Sequence, residues 1–143
     1  MLNRTMLASV TWLLAACSPD AQPAAEALPS FARDIAPVLE ARCAQRGGCH
    51  GEAPTPAVDL DLRRAASYRE LVAVPAETGR LALLRVEPGH PATSLLLHKL
   101  TGRSGKTMPL DPQTGQPLTP SPISLEWIER SLVPWIAAGA PAN

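Results

Sequence analysis

Aromatic side chains are scarce in this sequence: 3% of its 143 residues are Phe, Tyr or Trp, with a single phenylalanine and a single tyrosine. Charge of one sign is also missing. Thirteen basic residues balance thirteen acidic ones, so no global field exists to hold nucleic acid or an anionic membrane surface. There is no apolar run long enough to cross a bilayer as a helix. Catalytic signatures are lacking as well: no Ser/His/Asp set, phosphate loop or paired-carboxylate motif can be read. The sequence makes no independent case for an enzyme.

Proline and glycine, by contrast, are plentiful, at 16 and 9 residues. That composition predicts long irregular connections between short helices. A chain so poor in large apolar side chains needs good helices or a bound group inside its core. The length suits one compact domain.

The N-terminus reads as an address. Arg4 is followed by an apolar run from Met6 to Ala16, about 11 residues, which suits a signal peptide and is too short for a membrane span. It closes on Leu14-Ala15-Ala16-Cys17, which resembles the bacterial lipobox. The resemblance implies cleavage after residue 16, lipidation of Cys17 and export. Ser18 after the cysteine implies, on the same resemblance, an outer-membrane destination facing the periplasm. Residues 17–29, rich in Ala, Pro and Glu, read as a flexible tether. The folded domain is expected over 30–141.

With Cys17 assigned to lipid, Cys43 and Cys49 remain as a pair in an oxidising compartment. The pair is a disulfide, a cofactor link or part of a metal site.

Apolar positions 31, 35, 38 and 39 form a helical stripe, with Ser30 placed to cap it and Pro37 placed to disturb it. Val58-Asp59-Leu60-Asp61-Leu62 alternates like a short strand or an extended strip. A short helix is expected around Tyr68, Leu71 and Val72; the run from Leu81 to Val86 is too short to classify. Ser94 or Thr93 is expected to cap a helix through Leu100 that ends near Gly102. Residues 101–122 read as a structured loop. A last helix is expected from Ser124 to about Ala138, kinked at Pro134, with Ile128, Leu132, Trp135 and Ile136 on one face and Gly139 at its end. Trp127 and Trp135 are expected to pack in the core.

Cys49-His50, with Cys43 shortly before, has the order of c-type haem attachment, whose usual spacing is C-x-x-C-H. Two thiols add to the haem vinyl groups and the adjacent imidazole reaches iron from the same backbone. Here the spacing is C-x5-C-H. On a continuous helix residues six apart are separated by about 240° and 9 Å, which does not suit two vinyls on one ring edge. Gly47 and Gly48 let the intervening residues loop out and return the sulfurs to each other. Met108, the sole methionine after Cys17, offers a soft thioether suited to iron opposite a histidine. His98 is the lesser candidate for that position, and His90 reads as a loop residue. Lys99, Arg103 and Lys106 read as a solvated basic face, with contact to haem propionates or an acidic partner as the sharper alternative. A zinc site from Cys43, Cys49, His50 and one further group has suitable atoms but no common finger spacing.

Phe31-x3-Ile35-x-Pro37-Val38-Leu39 before Cys43, then Cys49-His50-Gly51, Leu60-Asp61-Leu62, Pro88-Gly89-x-Pro91-x2-Ser94-x-Leu96, Lys99-Leu100, Met108-Pro109 and Trp135-Ile136-x2-Gly139-Ala140 together resemble the bacterial cytochrome c-like domains of exported proteins. The spacing of the cysteines, and His90 where the family commonly has an acid, depart from the pattern. The resemblance implies a mainly α, class I cytochrome c-like helical domain with long irregular loops. It implies haem c joined to Cys43 and Cys49, with His50 and Met108 as axial ligands of iron. The expected role is a lipid-anchored monohaem electron carrier with a redox partner protein in the cell envelope. It would touch the membrane only through its anchor and bind no nucleic acid. Two other readings follow from the same residues: a haem-free structural module with a Cys43–Cys49 disulfide, and a peroxidase-like site with Met108 off the iron.

Overall fold

The computed structural model describes residues 27–44, 49–51, 57–76 and 82–143. Cys17, the leader, most of the tether, and Gly47 and Gly48 lie outside the described residues. Among those described, the chain is mainly helical and forms no strand. Its extended segments meet only at isolated bridges, Val72 with Val86, Pro75 with Leu84 and Leu110 with Pro117. The α-helices are α1 (Ala36–Cys43), α2 (Ser67–Leu71), α3 (Leu95–Thr101), α4 (Leu125–Trp127) and α5 (Val133–Ala137).

The first and last helical runs share one construction. Ser30 accepts the Arg33 N–H at 3.3 Å, and Ser124 accepts the Trp127 N–H at 3.1 Å. A π-helical turn, Phe31–Ile35, leads into α1, and another, Ile128–Leu132, leads from α4 into α5. In each, the N–H following the turn reaches a carbonyl five residues back, Ala36 to Phe31 and Val133 to Ile128. Pro37 and Pro134 each stand two residues beyond the last residue of the turn. A proline ring inside an α-helix meets the carbonyl four residues earlier and lacks a donor for it. The widened turn relieves that collision. The interruption thus falls where proline predicts, as an extra residue in the turn rather than as a simple break.

These two runs bury their apolar faces against each other. Phe31, Ile35 and Leu39 join Ile128, Leu132, Trp135 and Ile136 in one core with Leu62, Leu71, Val86, Leu97 and Leu100. The Phe31 ring stands edge-on to Tyr68 at 5.0 Å and lies tilted against Trp135 at 5.2 Å. Every polar atom of these aromatics is satisfied by backbone: Trp135 Nε1 donates to Pro141, Tyr68 Oη to Ala140 and Trp127 Nε1 to Asp34, at 2.9, 2.9 and 3.0 Å. The ends of the domain meet where the Phe31 and Ala32 N–H groups donate to Asn143, both at 2.9 Å.

Three local expectations change. Ser94 stands at the cap position of α3 but makes no capping bond. Its buried hydroxyl accepts the Glu87 N–H at 2.9 Å and donates to the His90 carbonyl at 3.0 Å, so it fastens the preceding turn. The 58–62 segment begins as a 3₁₀ turn, Ala57–Asp59, before it extends. The helix around Tyr68 stops at Leu71, because Val86 N–H takes the Leu71 carbonyl and Ala73 turns to a φ of 59°.

Candidate functional site

Cys43 is the last residue of α1, and the chain returns to it immediately. His50 N–H donates to the Cys43 carbonyl at 3.1 Å, satisfying one of the carbonyls at the helix end. Gly51 makes the return possible. A Cβ there would lie 2.4 Å from the Ala44 carbonyl oxygen, so any other residue requires the backbone to move. The result is a closed loop with Cys43 and Cys49 at its two ends.

His50 is then pinned from the far side. Its carbonyl accepts the Leu62 N–H at 2.8 Å, and the Cys49 carbonyl accepts the Ala57 N–H at 2.6 Å. Its ring Nδ1 lies 3.3 Å from the Leu60 carbonyl oxygen. A carbonyl only accepts, so Nδ1 carries the proton and Nε2 keeps the lone pair. Burial lowers the imidazole pKa; the backbone contacts at Leu60 and Ala57 oppose that shift, and the positive charge of Arg85 adds to it. The ring is neutral at pH 7, and of its two nitrogens Nε2 is the one that keeps a lone pair.

The thiols differ from each other. Cys43 is half-buried against the core, Cys49 is exposed, and neither is in a disulfide. Burial pushes the Cys43 thiol up to about 11, and the neighbouring Cys49 adds to the shift. Cys43 is therefore a protonated thiol at neutral pH, a poor zinc ligand and slow to oxidise. Among the described residues no group of three or more His, Cys, Asp or Glu side chains is gathered to hold a metal ion.

Met108 comes from another part of the chain. Its N–H donates to the Lys99 carbonyl at 2.8 Å, and its side chain packs against the core that Cys43 also touches. The surrounding loop is braced by two cations. Lys99 Nζ donates to the Ser104 carbonyl at 3.0 Å and Lys106 Nζ to the Gly115 carbonyl at 2.7 Å. These lysines, expected as a solvated face, serve as clips for the Met108 loop. His98 has both ring nitrogens engaged, Nε2 with the Ala92 carbonyl at 2.6 Å and Nδ1 with Ser104 Oγ at 3.1 Å. His90 is exposed, its Nδ1 3.0 Å from the Pro88 carbonyl.

The donor types suit haem c: two unlinked thiols on one loop, a neutral imidazole, and a thioether packed on the apolar core. Sequence reasoning missed the Leu60 carbonyl, which has no side-chain signature. It also missed Arg85, whose buried guanidinium donates to the Glu70 carbonyl at 2.9 Å and lies 3.6 Å from the Glu70 carboxylate. A charged residue within the apolar run 81–86 was the available signal.

Compared with known proteins, the chain matches no family model, no curated protein and no solved structure.

Proposed function

We propose that this protein is a monohaem c-type cytochrome with a class I cytochrome c-like fold, held in the cell envelope by a lipid on Cys17 and passing single electrons to a redox partner protein. The observation that carries the reading is His50, whose Nδ1 is fixed on the Leu60 carbonyl beside two unlinked thiols. Orientation of a ligating imidazole by a backbone carbonyl on its other nitrogen is how metal-binding histidines are fixed.

Cys43 and Cys49 would hold haem c through thioether links, and His50 Nε2 and Met108 Sδ would bind its iron. Bound haem c supplies one-electron iron chemistry. The residues do the rest. Leu60 keeps the imidazole in one tautomer, and the apolar core around Cys43 and Met108 excludes water. The Lys99 and Lys106 clips hold the Met108 loop against that core. With His50 and Met108 both bound to it, the iron would have no open position, which would favour electron transfer over oxygen or peroxide chemistry. The lipobox argues for a lipid anchor, and Ser18 after it for an outer-membrane location facing the periplasm.

A visible spectrum of the exported, purified protein tests the reading, together with a denaturing gel stained for haem peroxidase activity. A Soret band and a stained band at the mature mass support it. A folded protein with neither, carrying a Cys43–Cys49 disulfide, overturns it in favour of the haem-free module.

A further inference from the structure

His50 meets the 60–62 strip at two points: its Nδ1 faces the Leu60 carbonyl at 3.3 Å, and its own carbonyl accepts the Leu62 N–H at 2.8 Å. The Leu60 carbonyl belongs to the planar peptide group that enters Asp61, and the Leu62 N–H to the one that leaves it. Both planes pivot on the Asp61 Cα. The φ and ψ of Asp61 therefore aim the two groups that hold His50.

Asp61 is itself held through its side chain. Leu62 is buried and Leu60 packs on the core, so in an extended strip the residue between them turns outward. Oδ1 accepts the Arg63 N–H at 2.9 Å, the two-residue reach of an Asx turn. The Arg63 guanidinium closes on the same carboxylate, Nη2 on Oδ2 at 2.6 Å and Nε on both oxygens at 3.0 Å. An ion pair at the surface contributes little to stability. The bond to backbone two residues on does something else: it fixes the dihedral angles in between. The next residue fastens the same stretch to α1, since the Arg64 N–H donates at 3.3 Å to Oε1 of Glu40, three residues before Cys43.

Resting on the haem reading above, in which His50 is a ligand, we infer that Asp61 is a positioning residue for His50. Its Asx turn to Arg63 aims the Leu60 carbonyl at Nδ1 and so keeps the imidazole in one tautomer and one orientation. A ligating histidine takes its tautomer, ring direction and basicity from such a partner. Alanine at 61 frees both peptide planes to rotate away from His50, while every residue that touches the imidazole stays the same.

The test follows the His50 Nδ1 proton by NMR in exported, reduced protein, comparing wild type with Asp61→Ala. In the wild type this proton is expected to exchange slowly with solvent. In Asp61→Ala its exchange, taken as a ratio to that of the α1 and α5 backbone amides, is expected to be about two- to tenfold faster, the factor set by the net stabilisation of one hydrogen bond. Asp61→Asn keeps an oxygen for the Arg63 N–H and is expected to restore the wild-type ratio. A merely structural aspartate would speed ring proton and helix amides together. An unchanged ratio in Asp61→Ala thus overturns the inference, as does an Asp61→Asn protein that behaves like the alanine variant. Should Asp61→Ala fail to accumulate, Asp61→Ser makes the same turn more weakly; a smaller rise in the ratio supports the inference and none overturns it. A wild-type protein without a Soret band overturns the cytochrome reading, and the ratio measured in that haem-free chain still decides the role of Asp61.

Discussion

His50 Nδ1 faces the Leu60 carbonyl oxygen at 3.3 Å, across a gap of ten residues in sequence. The contact assigns the proton to Nδ1, while burial outweighs it and favours the neutral ring. Its thermodynamic consequence has a definite sign. The folded pKa lies below 6.5 because burial opposes the charge; the unfolded chain therefore binds the extra proton first as pH falls. Stability contributed by neutral His50 is complete above the unfolded value and is lost as pH drops below about 6.5. The haem-free chain should melt at lower temperature at pH 5 than at pH 7, and His50→Asn should reduce that difference. Circular dichroism melting at the two pH values checks it; equal slopes in both proteins would show that His50 is not the group responsible.

Cys43 and Cys49 should react at very different rates. Thiolate is the reactive form. With the Cys43 thiol at about 11 against an ordinary 9.0, its thiolate population at pH 8 is roughly a hundredfold below that of an unperturbed thiol. Iodoacetamide added to the reduced, haem-free protein should modify Cys49 first and leave Cys43 until the chain is unfolded. Peptide mapping of a brief labelling pulse reads the order directly, and equal labelling would contradict the burial of Cys43.

Gly51→Ala should damage the site from a distance. The new Cβ would stand 2.4 Å from the Ala44 carbonyl oxygen, so either α1 or the His50 backbone must move. Overpacking of this kind costs about 1–3 kcal/mol. Urea unfolding of the haem-free variant should show a loss of that size, and haem incorporation in the exporting cell should fall with it, since His50 hangs from the same return of the chain.

How much of this was legible beforehand depends on whether side chains or backbone carry the feature. The stripe at 31, 35, 38 and 39 announces the first helix, and Ile128, Leu132, Trp135 and Ile136 announce the last, because burial on one face leaves a periodic trace. Gly102 and Gly139 mark ends for the same local reason, both adopting positive φ. The π-helical turns leave no such trace. Pro37 and Pro134 signal interruption, but packing of the two runs decides its form. Ser94 has the right identity and place for a cap, yet the turn at Glu87–His90 captures its hydroxyl. In the candidate site, Cys43, Cys49 and His50 were visible as letters, whereas the Leu60 carbonyl that orients the ring is identical in every residue type.

Cys17 should carry lipid, and residues 1–16 should be missing from the mature chain. Leu14-Ala15-Ala16-Cys17 after an apolar run motivates this. Intact-mass spectrometry of the membrane fraction should show a diacylated N-terminal cysteine. A chain beginning at Met1, or a soluble form cut elsewhere, would refute it.

Met108 and His98 compete for the iron position opposite His50, and their surroundings favour Met108. His98 already spends Nε2 on the Ala92 carbonyl and Nδ1 on Ser104, so ligation would require breaking a 2.6 Å bond and turning the ring. Among the described residues the Met108 side chain has no hydrogen bond to surrender, and its loop is clipped in place through Lys99 and Lys106. Thioether ligation raises the reduction potential by favouring ferrous iron. The oxidised haem-loaded protein should therefore show a sulfur-to-iron charge-transfer band in the far red, and Met108→Ala should abolish it and lower the potential. His98→Ala should leave band and spin state unchanged and lower the melting temperature by a few degrees through loss of its two bonds. The opposite pattern, with no far-red band in the wild type and a spin-state change in His98→Ala alone, would make the iron bis-histidine. Electron transfer would survive that result, because both axial positions would still be filled; the assignment of Met108 would not.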